Sequence, residues 1–124
     1  MIEIFPKSLM SMFIAIVIKI HLFHKKKDSK ITLYYHPYKT HTPTSYFIIK
    51  SPLLTSDQLH LYLQDIRRHS ERANIIIIGH PIDYEALFKH HYRVFGIIDT
   101  TKNKSLRFIK SQIHFYLDGL YGTL

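Results

Sequence analysis

The sequence predicts an α/β domain built on a parallel β-sheet, and three observations carry that prediction. Five short apolar runs, rich in β-branched and aromatic residues, occupy residues 1–5, 31–35, 46–50, 74–78 and 94–98. Segments whose apolar residues recur at helical spacing stand between most of them. The runs are apolar at consecutive positions, not alternate ones, as strands covered by helices on both faces are. The 124 residues suit one domain spanning 1–124.

Each element has its local signal. Residues 1–5 (MIEIF) are stopped by Pro6, which has no N–H to give a ladder. Ser8 is a cap for a helix of about four turns over 8–23, with Met12, Ile16 and Ile20 expected on the sheet and Lys19 and His21 in solvent. That run falls short of the roughly 20 apolar residues of a span, and Lys19 and His21 interrupt it. Its basic cluster, His24-Lys25-Lys26-Lys27, follows the apolar stretch, whereas a signal peptide carries its charge first. A buried helix without a membrane role is therefore expected.

Lys25 to Lys30 form a charged connection to the second strand, 31–35 (ITLYY). Residues 36–45 hold Pro37 and Pro43 and no helical period, so they read as loop. The third strand, 46–50 (YFIIK), ends before Pro52. From Ser56 a helix repeats Leu59, Leu63 and Ile66, with Asp57 in its first turn and Arg67 and Arg68 in its last, where the helix dipole favours each charge. Residues 74–78 (NIIII) form the clearest strand, closed by Gly79 and Pro81. A short helix over 82–90, a fifth strand over 94–98 and a last helix over 105–117 complete the chain. That last helix carries Leu106, Ile109, Ile113, Tyr116 and Leu117 on one side.

Right-handed crossovers turn this order into a doubly wound, flavodoxin-like five-stranded sheet of order 2-1-3-4-5. The stretch between Tyr35 and Tyr46 is near the minimum for a crossover, so the second helix is expected to be reduced or missing.

Composition removes much chemistry. No cysteine is present, which excludes disulfides, thiolate metal sites and thiol nucleophiles. Four glycines leave little material for phosphate-cradling loops, and no GxGxxG, GxxxxGK[ST] or GxSxG occurs. Seventeen Lys and Arg against nine Asp and Glu give a net charge of +8, which favours anionic partners. Ten histidines would add to it in acid.

Five such strands in a chain of this length outline a response-regulator receiver, and the second half sharpens the likeness. Asp65-Ile66-Arg67-Arg68-His69, then Asn74-Ile75-Ile76-Ile77-Ile78, then Tyr84 to Leu87, Tyr92-Arg93-Val94 and a final helix from Ser105 resemble the LytTR-type receivers of the Agr and Com quorum-sensing regulators. In those an "IR" helix end precedes an "NIIFVT"-like strand, and a "Y-x-V" step enters the fifth strand. Tyr46-Phe47-Ile48-Ile49 resembles their "YFLD" third strand.

The resemblance also implies a degenerate site. Receivers take a phosphoryl group on an Asp ending the third strand, with Mg²⁺ held by an acidic pair after the first. A Thr or Ser after the fourth strand and a Lys after the fifth complete the switch. Here the acceptor position is Ile49, or Lys50 if the register slips, and the acidic-pair region is Pro6-Lys7-Ser8. The switch position is Gly79, and the lysine position is Thr100 counted back from the last helix or Lys102 counted forward from Tyr92. Mg²⁺ needs hard oxygen ligands and phosphoryl transfer needs a nucleophile, and an isoleucine offers neither. The expectation is a pseudo-receiver with no catalytic residue, cofactor or metal.

Other constellations point less far. His36, His41, His80, His90 and His91 lack metal-ligand spacing. Ser51 or Ser56 with His60 and Asp57 has the residue types of a triad but no nucleophile elbow. Lys25-Lys26-Lys27 with Lys30, Arg67-Arg68 with Arg72, and Lys102-Lys104 with Arg107 and Lys110 form basic tracts, accompanied by Tyr34, Tyr35, Tyr38 and Tyr92. Phe88, Tyr92, Phe95, Phe108 and Tyr116 fall where receivers dimerise, so the resemblance implies an interface there.

The function expected is a cytoplasmic, non-catalytic pseudo-receiver of a transcriptional regulator, acting as a homodimer or as a heterodimer with a related regulator. DNA is expected to be reached only through a DNA-binding domain absent from these residues, or weakly through the basic patches. A small basic nucleic-acid-binding domain is the alternative, and an α/β enzyme with an unrecognised site the third reading.

Overall fold

The computed structural model describes residues 1–27, 29–34, 45–102 and 104–122. Along them run β1 (Ile2–Phe5), α1 (Leu9–His24), β2 (Ile31–Leu33), β3 (Ser45–Lys50), α2 (Ser56–His69), β4 (Asn74–Gly79), α3 (Tyr84–Lys89), β5 (Gly96–Asp99) and α4 (Leu106–Tyr121). Every strand pairing is parallel and the order is β2-β1-β3-β4-β5. The chain is therefore an α/β fold with the flavodoxin- and receiver-like winding that the sequence predicts. Tyr35, the loop at 36–44 and with them the reduced second crossover lie outside the described residues.

Caps set the helix starts. Ser8 and Ser11 form a reciprocal capping box at α1, and Thr55 and Gln58 form another at α2, which starts at Ser56 as the sequence predicts. Asp83 accepts from the Ala86 N–H, which starts α3 at Tyr84 and not at Ile82. Ser105 caps α4 through the Phe108 N–H. The fifth strand begins two residues later than expected. His91 and Arg93 both hold a left-handed backbone, and the chain becomes regular only at Gly96.

The sheet has two packed faces. Ile4, Phe47, Ile49, Ile76 and Ile78 point to the layer of α1 and α4, where Ile14, Ile18, Ile113 and Leu117 meet them. Phe5, Ile48, Ile75 and Ile77 point the other way, onto Leu59, Leu63 and Leu87 of α2 and α3. Both parities of each central strand are thus buried, which is why the strands read as unbroken apolar runs.

One expectation fails on α1. Its buried residues are Ser11, Ile14, Val17, Ile18 and Leu22, while Met12, Ile16 and Ile20 are 47%, 58% and 53% exposed. Lys19 does face solvent, but His21 turns inward and sets Nε2 2.8 Å from Oδ1 of Asp118 on α4. The helix is apolar around its whole circumference, so periodicity alone does not choose its face. Among the described residues no helix is long and apolar enough to cross a membrane.

Candidate interaction face and the strand-end site

The strand carboxyl ends are where a doubly wound fold places its chemistry. Pro6, Lys7, Ser8 and Ile49 meet there, lining one open cleft with Leu54 and Tyr62. The described lining of this cleft contains no carboxylate. Lys50, one residue on, points to the opposite face of the sheet, where it is buried and its Nζ donates to the Ser51 carbonyl at 3.0 Å. Burial pushes its pKa down. Among the described residues no three His, Asp or Glu side chains gather as a metal-ligand set.

Gly79 pairs with Lys50 in register and sits at φ 139°. A Cβ there would stand 1.7 Å from the Lys50 carbonyl oxygen, so the close approach of β4 to β3 requires glycine. Lys102 does not reach the cleft of Ile49. It is exposed, and shares a separate depression beyond β5 with Asp99, Thr101, Lys104 and Phe108.

Asp99 was hidden from sequence reasoning because the fifth strand runs one residue further than expected. Its carboxylate accepts from the Thr101 hydroxyl and N–H, the latter at 2.9 Å, and from the Tyr84 hydroxyl at 2.6 Å. Those bonds, Thr101 first, hold its pKa below the ordinary carboxylate value, and the same bond helps push Tyr84 up to about 12. His80 Nδ1 lies 2.7 Å from the Thr100 hydroxyl beside it.

The histidines do not assemble as one group. His36 and His41 lie outside the described residues. His80 meets Thr100, His90 stacks near His60 with ring centroids 4.6 Å apart, and His91 lies by Phe88. His60 and Ser56 line one small cavity between α2 and α3, but the hydrogen-bond partner of His60 is the Tyr92 hydroxyl.

The surface made by α3, β5 and α4 carries the aromatic residues. Phe88 is 72% exposed and Phe95 is also exposed, while Phe108 and Tyr116 are half-buried. Phe88, His91, Val94, Gly96, Ile97 and Tyr116 line a groove along β5, which is an edge strand of the sheet. Tyr116 lies against Gly96, and Phe95 and Phe115 meet its ring edge-on at centroid distances of 6.0 and 5.3 Å. Lys104 Nζ sits 4.9 Å from the Phe108 ring centroid.

Tyr92 is a correction to the expected interface. It is only 7% exposed and packs in the core of α2 and α3, because its hydroxyl finds His60 and its carbonyl is held by Arg67. Arg67 itself was legible only as a basic helix end. Its guanidinium donates to the carbonyls of Tyr92, Ala73 and Arg93 at 2.7, 2.8 and 2.8 Å, joining the end of α2 to the entry of β5.

No family model, curated protein or solved structure matches this chain.

Proposed function

We propose that this chain is a pseudo-receiver of the LytTR-regulator kind, a cytoplasmic non-enzyme that regulates transcription through protein–protein contact and not through phosphorylation. The observation that carries this reading is the aromatic groove on the edge strand β5, walled by Phe88 and Tyr116 around Gly96. Buried aromatic anchors are what interface energy concentrates in, at about 2 kcal/mol or more each. The partner is a second copy or a related, phosphorylatable regulator. Rim cations such as Arg93 and Lys104 tune the rate of encounter more than its strength.

The strand-end cleft supports the same reading. Its described lining offers Ile49, Lys7 and Ser8 where acceptor and metal ligands would be needed.

Sedimentation of the full chain over rising concentration tests the proposal. A dimer is expected, weakened by Phe88→Ala or Phe95→Ala and barely changed by Lys104→Ala. A monomer at high micromolar concentration removes the homodimer, and absence of binding to a phosphorylatable receiver of the same kind then removes the proposal. Incubation with acetyl phosphate should leave the intact mass unchanged. A stoichiometric phosphoryl adduct overturns the non-catalytic reading. Ile49→Asp alone should gain no adduct, since the metal ligands would still be missing.

A further inference from the structure

Helix α1 contributes nothing to the lining of the groove on β5, yet it carries an exposed apolar surface of its own. Leu9, Met12, Ile16, Ile20 and Phe23 are all exposed. Their spacing of three and four residues sets them in one stripe, opposite the buried Ile14, Ile18 and Leu22. From Leu9 to Phe23 the stripe runs about 21 Å. A helix that is apolar all round ordinarily has both faces covered, and here the sheet covers only one.

Charge decides what fits the other face. The 16 residues of α1 include no acid, and Lys25, Lys26 and Lys27 follow at its end, all exposed. Lys19 flanks the stripe, and α4 alongside brings Arg107 and Lys110 with Asp118 as its only acid. Asp118 is already engaged by His21. A second copy packed antiparallel on α1 would bring Lys25-Lys26-Lys27 to the positively polarised start of the other helix. A parallel copy would set one lysine cluster on the other. Both arrangements repel.

We infer that the outer face of α1 lies on an anionic lipid bilayer. The five apolar side chains enter the boundary between headgroups and acyl chains, while Lys19 and Lys25 to Lys27 meet the lipid phosphates. The helix lies in the plane of the surface and does not span it. The groove on β5 belongs to another side of the molecule and remains open to a protein partner.

Co-sedimentation of the full chain with phosphatidylglycerol–phosphatidylcholine vesicles tests the inference. Binding is expected to these vesicles and not to pure phosphatidylcholine, and to weaken when salt rises from about 0.05 to about 0.5 M. The exposed-site double variant Ile16→Glu/Ile20→Glu should keep the parent's melting temperature and bind at least about tenfold less. Lys25→Gln/Lys26→Gln/Lys27→Gln should also lose binding, through the charge alone. Phe88→Ala should bind vesicles as the parent does, which separates this inference from the pairing proposed above. Absence of binding to anionic vesicles, or equal binding by the Ile16→Glu/Ile20→Glu protein, overturns it. So does self-association without lipid that the Ile16→Glu/Ile20→Glu protein loses, since a second copy would then cover the stripe.

Discussion

The ring of Tyr116 fills the space beside Gly96 so closely that a Cβ on the glycine would stand 2.1 Å from the ring's Cε1 atom. The floor and one wall of the β5 groove are thus fixed by the absence of a single methyl group. Tyr116 also reaches the Ile97 carbonyl with its hydroxyl, at 3.4 Å, which orients the ring along the strand.

Gly96→Ala should therefore displace Tyr116 without unfolding the domain. The obstacle is a side chain beside an open groove, so it can turn away at a cost of about 1–2 kcal/mol. Self-association should fall by about tenfold as the wall moves. Urea denaturation and sedimentation on the same protein measure the two effects. Unchanged association despite the displaced ring would mean that the groove takes no part in pairing.

Gly79→Ser, which would place a hydroxyl where the resemblance to receivers implies a switch residue, should behave in the opposite way. The new Cβ would meet the Lys50 carbonyl oxygen at 1.7 Å, and backbone cannot rotate aside. The φ of 139° adds strain for any residue with a side chain. A loss of more than about 3 kcal/mol is expected, or insoluble protein. A folded Gly79→Ser protein of near-parent stability in urea would show that β3 and β4 can part at this point.

The contrast between these glycines shows how far the sequence was legible. The strand order followed from apolar runs such as 74–78, because burial on both sheet faces leaves no alternation to blur them. Lys7, Ser8 and Ile49 line one cleft because the ends of β1 and β3 are neighbours in the sheet. What stayed hidden depended on contacts between distant segments. The inward face of α1 is chosen by packing on α4 and by His21 meeting Asp118, 97 residues away. Tyr92 has the composition of an interface residue, and only the positions of His60 and Arg67 explain why it is buried. Asp99 became a site residue because the strand shifted past Ile98.

Acid should loosen the α1–α4 layer through His114. Its ring stacks on His21 at 4.1 Å, and desolvation first, then the charges of His21 and Lys110, push its pKa down from 6.5. With the folded value below the unfolded one, the unfolded chain takes up the proton first as pH falls. This contribution to stability is thus full above about pH 7 and is lost as the pH falls below 6.5 and through the lower folded value. Asp118, held low by its bond to His21, acts in the same direction only at lower pH, as its carboxylate protonates. His114→Gln should flatten the decline in urea midpoint between about pH 7 and about pH 5. A decline as steep as the parent's would assign it to other histidines.

Arg67 should be the most sensitive surface cation in the molecule. It donates to five carbonyls, those of Ser70, Glu71, Ala73, Tyr92 and Arg93. Only a planar fork with several N–H groups can serve so many acceptors, and a lysine ammonium has neither the shape nor the reach. Two of those carbonyls, of Tyr92 and Arg93, lie within the segment in which His91 and Arg93 hold φ of 55° and 57°, a conformation side chains resist. The guanidinium thus stabilises a strained entry to β5 that propensity alone would not keep. Arg67→Lys should cost about 2 kcal/mol or more, and should speed amide exchange at Val94 and Phe95. Arg68→Lys, one residue along and exposed, should change stability by less than about 0.5 kcal/mol. Because this entry segment runs from Phe88 to Gly96, loosening it should weaken pairing at the groove even though Arg67 lies outside its lining. Equal exchange rates in the two variants would show that the β5 entry holds its shape without Arg67.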